Sequence, residues 1–300
     1  MATRCGIMLA RVLDDKLLAR FPEWVIVQPK LDGDRCRAVP APEGYMLLSS
    51  QGTRRDFAVP HIKLALDALG NQVWGVDPRN WQILDGELYV HGVSHQKIRS
   101  VVSRTENLHV DFAKIRYHVF DTISSEIQMK RSERLMKIEA LAHAFDALRI
   151  VPTFRTPNTK AKILEAMDLF LEQGYEGVIV RNPYGDYKDC GPKGARRSND
   201  LLKLKPVQSG EGLCIDLLEA ISIDGEPKGM LGAFLVKSVL NGKEQVFKVS
   251  AGKLVHAERL MLWQNQRQAG DVQIIVHYRY LTLTDDGLPR EPVCTHVEVQ

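Results

Sequence analysis

Apolar and polar residues alternate with a period of two over several short stretches of the chain. In Trp81-Gln-Ile-Leu-Asp-Gly-Glu-Leu-Tyr-Val90, Asp85, Glu87 and Tyr89 fall on one face, and Leu84, Gly86, Leu88 and Val90 on the other, as in a strand. The same period sets Phe120 on the face opposite Val119 and Asp121 within Tyr117-His-Val-Phe-Asp-Thr122. It also sets Lys203 and Lys205 on one face of Leu201-Leu-Lys-Leu-Lys-Pro206. Elsewhere the spacing turns helical. Ser132 caps a predicted helix carrying Ile138, Leu141, Phe145 and Leu148. A second helix runs from Thr159 to Gln173 with Ile163, Met167, Phe170 and Leu171 on one face, and Gly174 supplies its left-handed stop.

Beyond Lys205-Pro206 the pattern changes. Val207-Gln-Ser-Gly-Glu-Gly212 is polar, and mostly strands follow, so the spacing predicts domains at 1–206 and 207–300. Asn241-Gly242 between GAFLVKSVL and KEQVFKVS is a hairpin signal, and a helix near Leu254–Gln268 precedes the strand VQIIVHYRYLT. Strands, one helix and strands again in fewer than a hundred residues fit a small OB-type barrel. The class expected for the whole chain is α+β.

Composition narrows the function classes. The 300 residues are 44% hydrophobic and 26% charged with net charge +3, so any anion-binding surface is local. Cys5, Cys36, Cys190, Cys214 and Cys294 are odd in number and widely spaced, which points away from a zinc site or disulfide framework and toward a reducing cytoplasm. No apolar run reaches membrane-spanning length, and no sustained heptad points to assembly, so the expectation is a cytoplasmic monomer that does not engage a membrane.

The charged stretch Val27-Gln-Pro-Lys-Leu-Asp-Gly-Asp-Arg-Cys-Arg37 follows the apolar run Trp24–Val27. Alone, its Asp-Gly reads as a hairpin turn and Lys30 as a solvated edge charge. However, Lys30-Leu-Asp-Gly-Asp-Arg35 resembles the Lys-x-Asp-Gly-x-Arg signature of ATP-dependent DNA ligases and related covalent nucleotidyltransferases. At about 5% usage per residue type, four fixed positions arise by chance about 0.002 times in a chain of this length. DGELYV, HVFD, EGVIVR and LLKLKP follow in the family's order, and the compact length is most similar to small viral or phage-type ligases. The resemblance implies an adenylation (nucleotidyltransferase) domain with antiparallel sheets and flanking helices, followed by a C-terminal OB-fold barrel that rotates between closing over ATP and clamping DNA.

It further implies the chemistry. Lys30 attacks the α-phosphorus of ATP to form lysyl-AMP. Arg35 and Glu87 contact ribose or phosphate, Phe120 stacks on adenine, and Gln28 reads the adenine edge. Glu176, with Glu87, holds Mg²⁺ or another divalent cation; Lys203 and Lys205 grip the α-phosphate, and Arg181 meets nucleotide or DNA phosphates. AMP then passes to the 5′-phosphate of nicked double-stranded DNA, and the 3′-hydroxyl displaces it. A free lysine of pKa about 10.4 is neutral in only about one copy in two thousand at pH 7, so cationic neighbours are part of what the nucleophile requires. Basic candidates for the DNA backbone are Arg54, Arg55, Lys193, Arg196 and Arg197, with Lys97, Arg99 and Arg104.

Two regions depart from the family pattern. Ser50 stands at a position that is commonly basic, and no lysine or arginine follows Arg290, which leaves Lys237, Lys243, Lys248 or Lys253 to serve the β- and γ-phosphates. The alternatives within covalent nucleotidyl transfer are an RNA ligase and a messenger-RNA capping guanylyltransferase. Outside that class stands a non-catalytic DNA-end-binding protein, against which the nucleophilic lysine argues. A phage-encoded protein would act in the host cytoplasm.

Overall fold

The computed structural model describes residues 6–123, 130–139, 145–188, 197–252, 254–265 and 273–299, and the chain divides into two units, Met1–Lys205 and Pro206–Gln300. The first unit contains strands β1 (Ala10–Val12), β2 (Trp24–Pro29), β3 (Asp34–Ala41), β4 (Gly44–Ser49), β5 (Ile83–Tyr89), β6 (Arg116–Ile123), β7 (Leu148–Ile150), β8 (Phe154–Pro157), β9 (Val178–Arg181) and β10 (Ser198–Leu204). Its helices are α1 (Asp15–Leu18), α2 (Pro60–Trp74), α3 (His95–Val102), α4 (Arg131–Glu139) and α5 (Lys160–Glu172).

These strands form two sheets, one ordered β1-β10-β9-β2-β8 and the other β4-β3-β5-β6-β7. Apolar faces bury against helices, because removing such surface from water is the main favourable term in folding. Val25, Val27, Val180 and Leu202 of the first sheet meet Ile163 and Phe170 of α5. Leu84 and Leu88 of the second meet Ile62 and Leu66 of α2 and Ile98 of α3. Helix α5 begins where the Thr159 hydroxyl accepts from the Lys162 N–H, and past its end Gly174 adopts φ +84°.

Lys30–Gly33 carries the chain from one sheet to the other. Strand β2 pairs with β8 and β9, and β3 with β4 and β5, so Asp32-Gly33 does not close a hairpin. The glycine answers a packing demand instead, since a Cβ at Gly33 would lie 2.4 Å from the Leu88 carbonyl oxygen.

Two period-based expectations are corrected. Leu148 is not helical; it opens β7 and pairs in parallel with Tyr117, so strand pairing overrides the helical spacing, while Leu141 falls outside the described residues. Strict alternation also fails in β6. Asp85 pairs with Asp121 but Gly86 with Val119, which leaves Phe120 as the extra residue of a bulge.

The second unit comprises β11 (Gln208–Ile221), β12 (Pro227–Leu240), β13 (Lys243–Ser250), α6 (His256–Asn265), β14 (Ile274–Tyr280) and β15 (Val293–Val299). Its strands close into a barrel ordered β11-β12-β13-β15-β14 around Phe234, Val249, Val276 and Tyr278. Asn241 and Gly242 have φ of 49° and 74°, the paired positive values of a tight hairpin between β12 and β13. Among the described residues no helix is long and apolar enough to cross a membrane.

Candidate active site

Backbone pairing fixes Lys30 where β2 meets β9. The Lys30 N–H donates to the Gly177 carbonyl at 2.9 Å, and the Glu176 N–H donates to the Lys30 carbonyl at 3.0 Å. Gly177 makes this possible. Its φ is +150°, and a Cβ there would meet the Leu204 carbonyl oxygen at 2.3 Å, so the start of β9 sits directly against the end of β10. Lys205 thereby reaches the same carboxylate as Lys30. The Lys30 Nζ donates to Glu176 Oε2 and the Lys205 Nζ to Oε1, and Lys30 also donates to the Leu31 carbonyl at 3.2 Å. All three side chains keep partial access to water, at 19% for Lys30, 11% for Glu176 and 15% for Lys205.

Two groups stand unmatched beside this triad. Lys203 has no ion-pair partner among the described residues, and burial, followed by the charges of Lys205, Arg197 and Lys30, lowers its pKa. From the second sheet, Glu87 accepts no hydrogen bond among the described residues. Burial pushes its carboxyl up to about 7, against the pull of Arg35 and Lys30. An unmatched carboxylate and an unmatched ammonium give the cleft capacity for a cation and an anion respectively. Oxygen donors from Glu87 and Glu176 suit a hard divalent cation such as Mg²⁺.

Arg35 lies deeper. Its Nε and Nη2 donate to the two Asp85 oxygens at 2.8 and 2.6 Å, and its guanidinium lies 4.4 Å over the Phe120 ring. Burial works against its charge, but Asp85 overrides it and the pKa rises. Arg181 is the partner from the first sheet. Its Nε donates to Gln28 Oε1 at 2.6 Å and its Nη1 to Asp121 Oδ2 at 3.1 Å, and its guanidinium lies 5.3 Å from the same Phe120 ring. The β6 bulge explains how one arginine meets both Phe120 and Asp121, which simple alternation would put on opposite faces. Burial and then Arg131 draw the Arg181 pKa down to about 9, which leaves it charged at neutral pH.

Gln28 is buried, and its amide nitrogen donates to Thr153 at 2.9 Å while its oxygen serves Arg181. An adenine edge would have to use the remaining amide proton or the second lone pair of the oxygen. Phe120 is likewise covered, so stacking on a base requires a guanidinium to leave its ring.

Residues absent from the sequence-derived set complete the frame. Asp121 accepts from Arg134 at 2.9 Å, with Arg131 3.7 Å away, and Arg131 also donates to the Phe120 carbonyl at 2.7 Å. Although burial opposes ionisation of Asp121, Arg131, Arg181 and Arg134 hold its pKa below the usual carboxylate range. Tyr187 donates to Asp85 Oδ2 at 2.5 Å and accepts from the Met8 N–H at 3.0 Å. Arginines at i and i+3 on a polar helix look like a solvated face, and only the sheet that buries them reveals their role.

Among the basic residues assigned to DNA, Arg55 is a correction. It is buried, and its Nε donates to Asp34 at 2.9 Å, so it is part of the scaffold. Arg54 is exposed beside Asp56, and Arg197 is exposed with its Nη1 on the Ala10 carbonyl at 2.7 Å. Lys97, Arg99 and Arg104 are exposed, with Arg99 3.7 Å from Asp34. Lys193, Arg196 and Lys253 lie outside the described residues. Ser50 sits in a turn organised by Ser49, whose hydroxyl accepts from the Gln51 and Thr53 N–H groups. In the second unit Lys237 pairs with Glu244 at 2.8 Å, while Lys243 and Lys248 are exposed.

Comparison with known proteins follows the same division. Residues 7–205 match the ATP dependent DNA ligase domain, and residues 224–297 match the DNA ligase OB-like domain. The DNA ligase of African swine fever virus (isolate Warthog/Namibia/Wart80/1980) is 30% identical over 243 residues, which cover 80% of this chain and 54% of the viral protein. The chain thus spans about half the length of the curated relatives it matches. Among solved structures, Pmar-Lig_Pre. superposes with a TM-score of 0.78 at 20% identity, covering 99% of this chain and 67% of that one. A structure from work on Lig E DNA ligases, described as DNA binding with a minimal scaffold, gives 0.71 at 20% identity with 98% and 99% coverage. At these identities the structural likeness speaks for the fold.

Proposed function

The chain belongs to the ATP-dependent DNA ligase family, and on that premise we propose that it seals nicks in duplex DNA through an adenylate carried on Lys30. The observation that supports this most is the cleft in which Glu176 is shared by Lys30 and Lys205 while Lys203 and Glu87 stand unmatched.

In the first step the Lys30 nitrogen forms a bond to the α-phosphorus of ATP, the bond to pyrophosphate breaks, and the nitrogen gives up its proton. Lys30 must first give up a proton, because an ammonium nitrogen has no free lone pair with which to attack. Lys203 and Lys205 then favour the neutral amine through their charge and attract the oxygens of the α-phosphate whose phosphorus Lys30 attacks. A Mg²⁺ ion held by Glu87 and Glu176 would neutralise phosphate charge. Arg35 is held by Asp85 and Arg181 by Asp121, both beside Phe120, and one guanidinium would have to move off that ring for a base to stack there. In the second step an oxygen of the DNA 5′-phosphate displaces Lys30 from AMP and the amine regains a proton. In the third, the 3′-hydroxyl attacks that 5′-phosphate and AMP leaves.

Nicked duplex DNA is the substrate that fits exposed Arg54 and Arg197, which offer phosphate contacts without sequence information. The same proposal has the protein act as a monomer in a cytoplasm that keeps Cys36, Cys214 and Cys294 as free thiols. Incubation with α-phosphate-labelled ATP or GTP, Mg²⁺ and a nicked duplex tests it. ATP-dependent label on the protein and sealed DNA are expected, whereas labelling by GTP alone or sealing only of RNA would move the assignment to a capping enzyme or an RNA ligase.

A further inference from the structure

Two histidines and a glutamate on the outer face of the second unit's barrel converge in a way that nick sealing does not require. Strand register builds the cluster. Glu211 of β11 lies opposite His277 of β14, and His277 lies opposite His296 of β15. The two imidazoles stack with centroids 4.0 Å apart and planes 7° from parallel. Glu298, two residues along β15, brings Oε1 to 3.0 Å from His277 Nε2 and 3.9 Å from His296 Nε2.

Both Nε2 atoms lie on the side of Glu298. The Thr295 hydroxyl spends its single proton on the His277 carbonyl at 3.1 Å, so toward His296 Nδ1, 3.4 Å away, it acts as an acceptor. In the neutral ring with its proton on Nδ1, Nε2 carries the lone pair that a metal would use. At His277, Glu211 Oε2 stands 3.6 Å from Nδ1, the relation of an outer carboxylate that orients a metal-bound imidazole. His277 Nε2 is buried and makes no hydrogen bond, although Glu298 is near, because the carboxylate lies outside hydrogen-bonding geometry. A buried nitrogen beside a carboxylate but making no aligned hydrogen bond keeps a directional valence open.

We propose that His277, His296 and Glu298 bind one divalent transition-metal ion of the zinc class, with Glu211 and Thr295 positioning the imidazoles. The three ligand atoms lie within 4.8 Å of one another, whereas tetrahedral zinc at its usual bond lengths holds its ligands about 3.3 Å apart. To close that difference and bring both Nε2 lone pairs onto one ion, the exposed His296 ring turns out of its parallel stack on His277 and the exposed Glu298 carboxylate swings inward. Imidazole donors select zinc, nickel or copper over Mg²⁺, so this site is chemically separate from the Glu87–Glu176 pair. A bound ion would tie β14 to β15 across the barrel wall.

The test uses the full chain, stripped with a chelator and titrated with Zn²⁺ by calorimetry in excess Mg²⁺. One equivalent should bind, and His296→Ala and Glu298→Gln should each weaken binding by about a hundredfold. At 60% and 53% exposure these side chains are peripheral to the core, and each variant's own Tm in chelator serves as its reference for the Zn²⁺-induced rise. Co²⁺ should give visible bands without thiolate charge transfer, which separates the site from cysteine ligation. Absence of stoichiometric Zn²⁺ binding, binding undiminished in both variants, or a thiolate band would overturn the proposal.

Discussion

Two clusters of opposite charges occupy the first unit and use them differently. Around Glu176, two lysines share one carboxylate, and every member retains some access to water. Around Asp121, three arginines enclose a carboxylate that has none, and the arginines themselves are almost wholly buried. Coulomb attraction acts in both, but only the first can exchange its partners for an incoming phosphate or cation without burying an unpaired charge. Partial exposure therefore marks the reactive group, and full enclosure marks the frame that aims it.

Removing the enclosed carboxylate breaks the comparison most severely. Asp121→Ala strands three buried guanidiniums and is expected to lower unfolding free energy by about 3 to 5 kcal/mol, read from denaturant midpoints. Glu87 provides a pH-dependent contrast. Its carboxyl is about 7 in the folded state against 4.5 ordinarily, so ionisation destabilises the native form by about 3 kcal/mol at most. The penalty is absent below pH 4.5, grows as pH rises and is complete above 7. Glu87→Gln should therefore be more stable than the parent at alkaline pH, with the difference closing toward pH 4.5, while adenylation falls because the anionic carboxylate ligand is replaced by a neutral amide. Gly177→Ala addresses the close approach that brings Lys205 to Glu176. A side chain at φ +150° against the Leu204 carbonyl should cost about 1 to 3 kcal/mol and slow adenylation, measured as initial rate. Arg54→Ala sharpens the other limit. Exposed beside Asp56, Arg54 should leave the Tm unchanged, but reduce the salt slope of nicked-DNA binding by about 1.

The contrast also explains what the sequence made legible. Alternation placed Glu87 beside Asp85 and paired Lys203 with Lys205, and capping chemistry marked both ends of α5, because each depends on near neighbours. The order of motifs then assembled Lys30, Glu87, Glu176, Lys203 and Lys205, all of which the folded chain brings to one cleft. Four features stayed hidden because they depend on which strands pair, in what register, and on side chains that meet from different elements. Asp32-Gly33 looks like a hairpin turn until β2 and β3 are seen to lie in different sheets. Phe120 reads as opposite Asp121 until the register slips. Arg55 reads as a surface charge beside Arg54 until Asp34 receives it, and Arg131 and Arg134 read as helix exterior until Asp121 does.

The central claim is that the partly exposed triad carries the covalent chemistry on Lys30. Peptide mapping by mass spectrometry after incubation with ATP and Mg²⁺ tests it most directly, on the parent chain and on Lys30→Ala. A single AMP adduct on the peptide containing Lys30, absent from a folded Lys30→Ala protein, is the expected result. An adduct on another residue, or one that persists in Lys30→Ala, would contradict it.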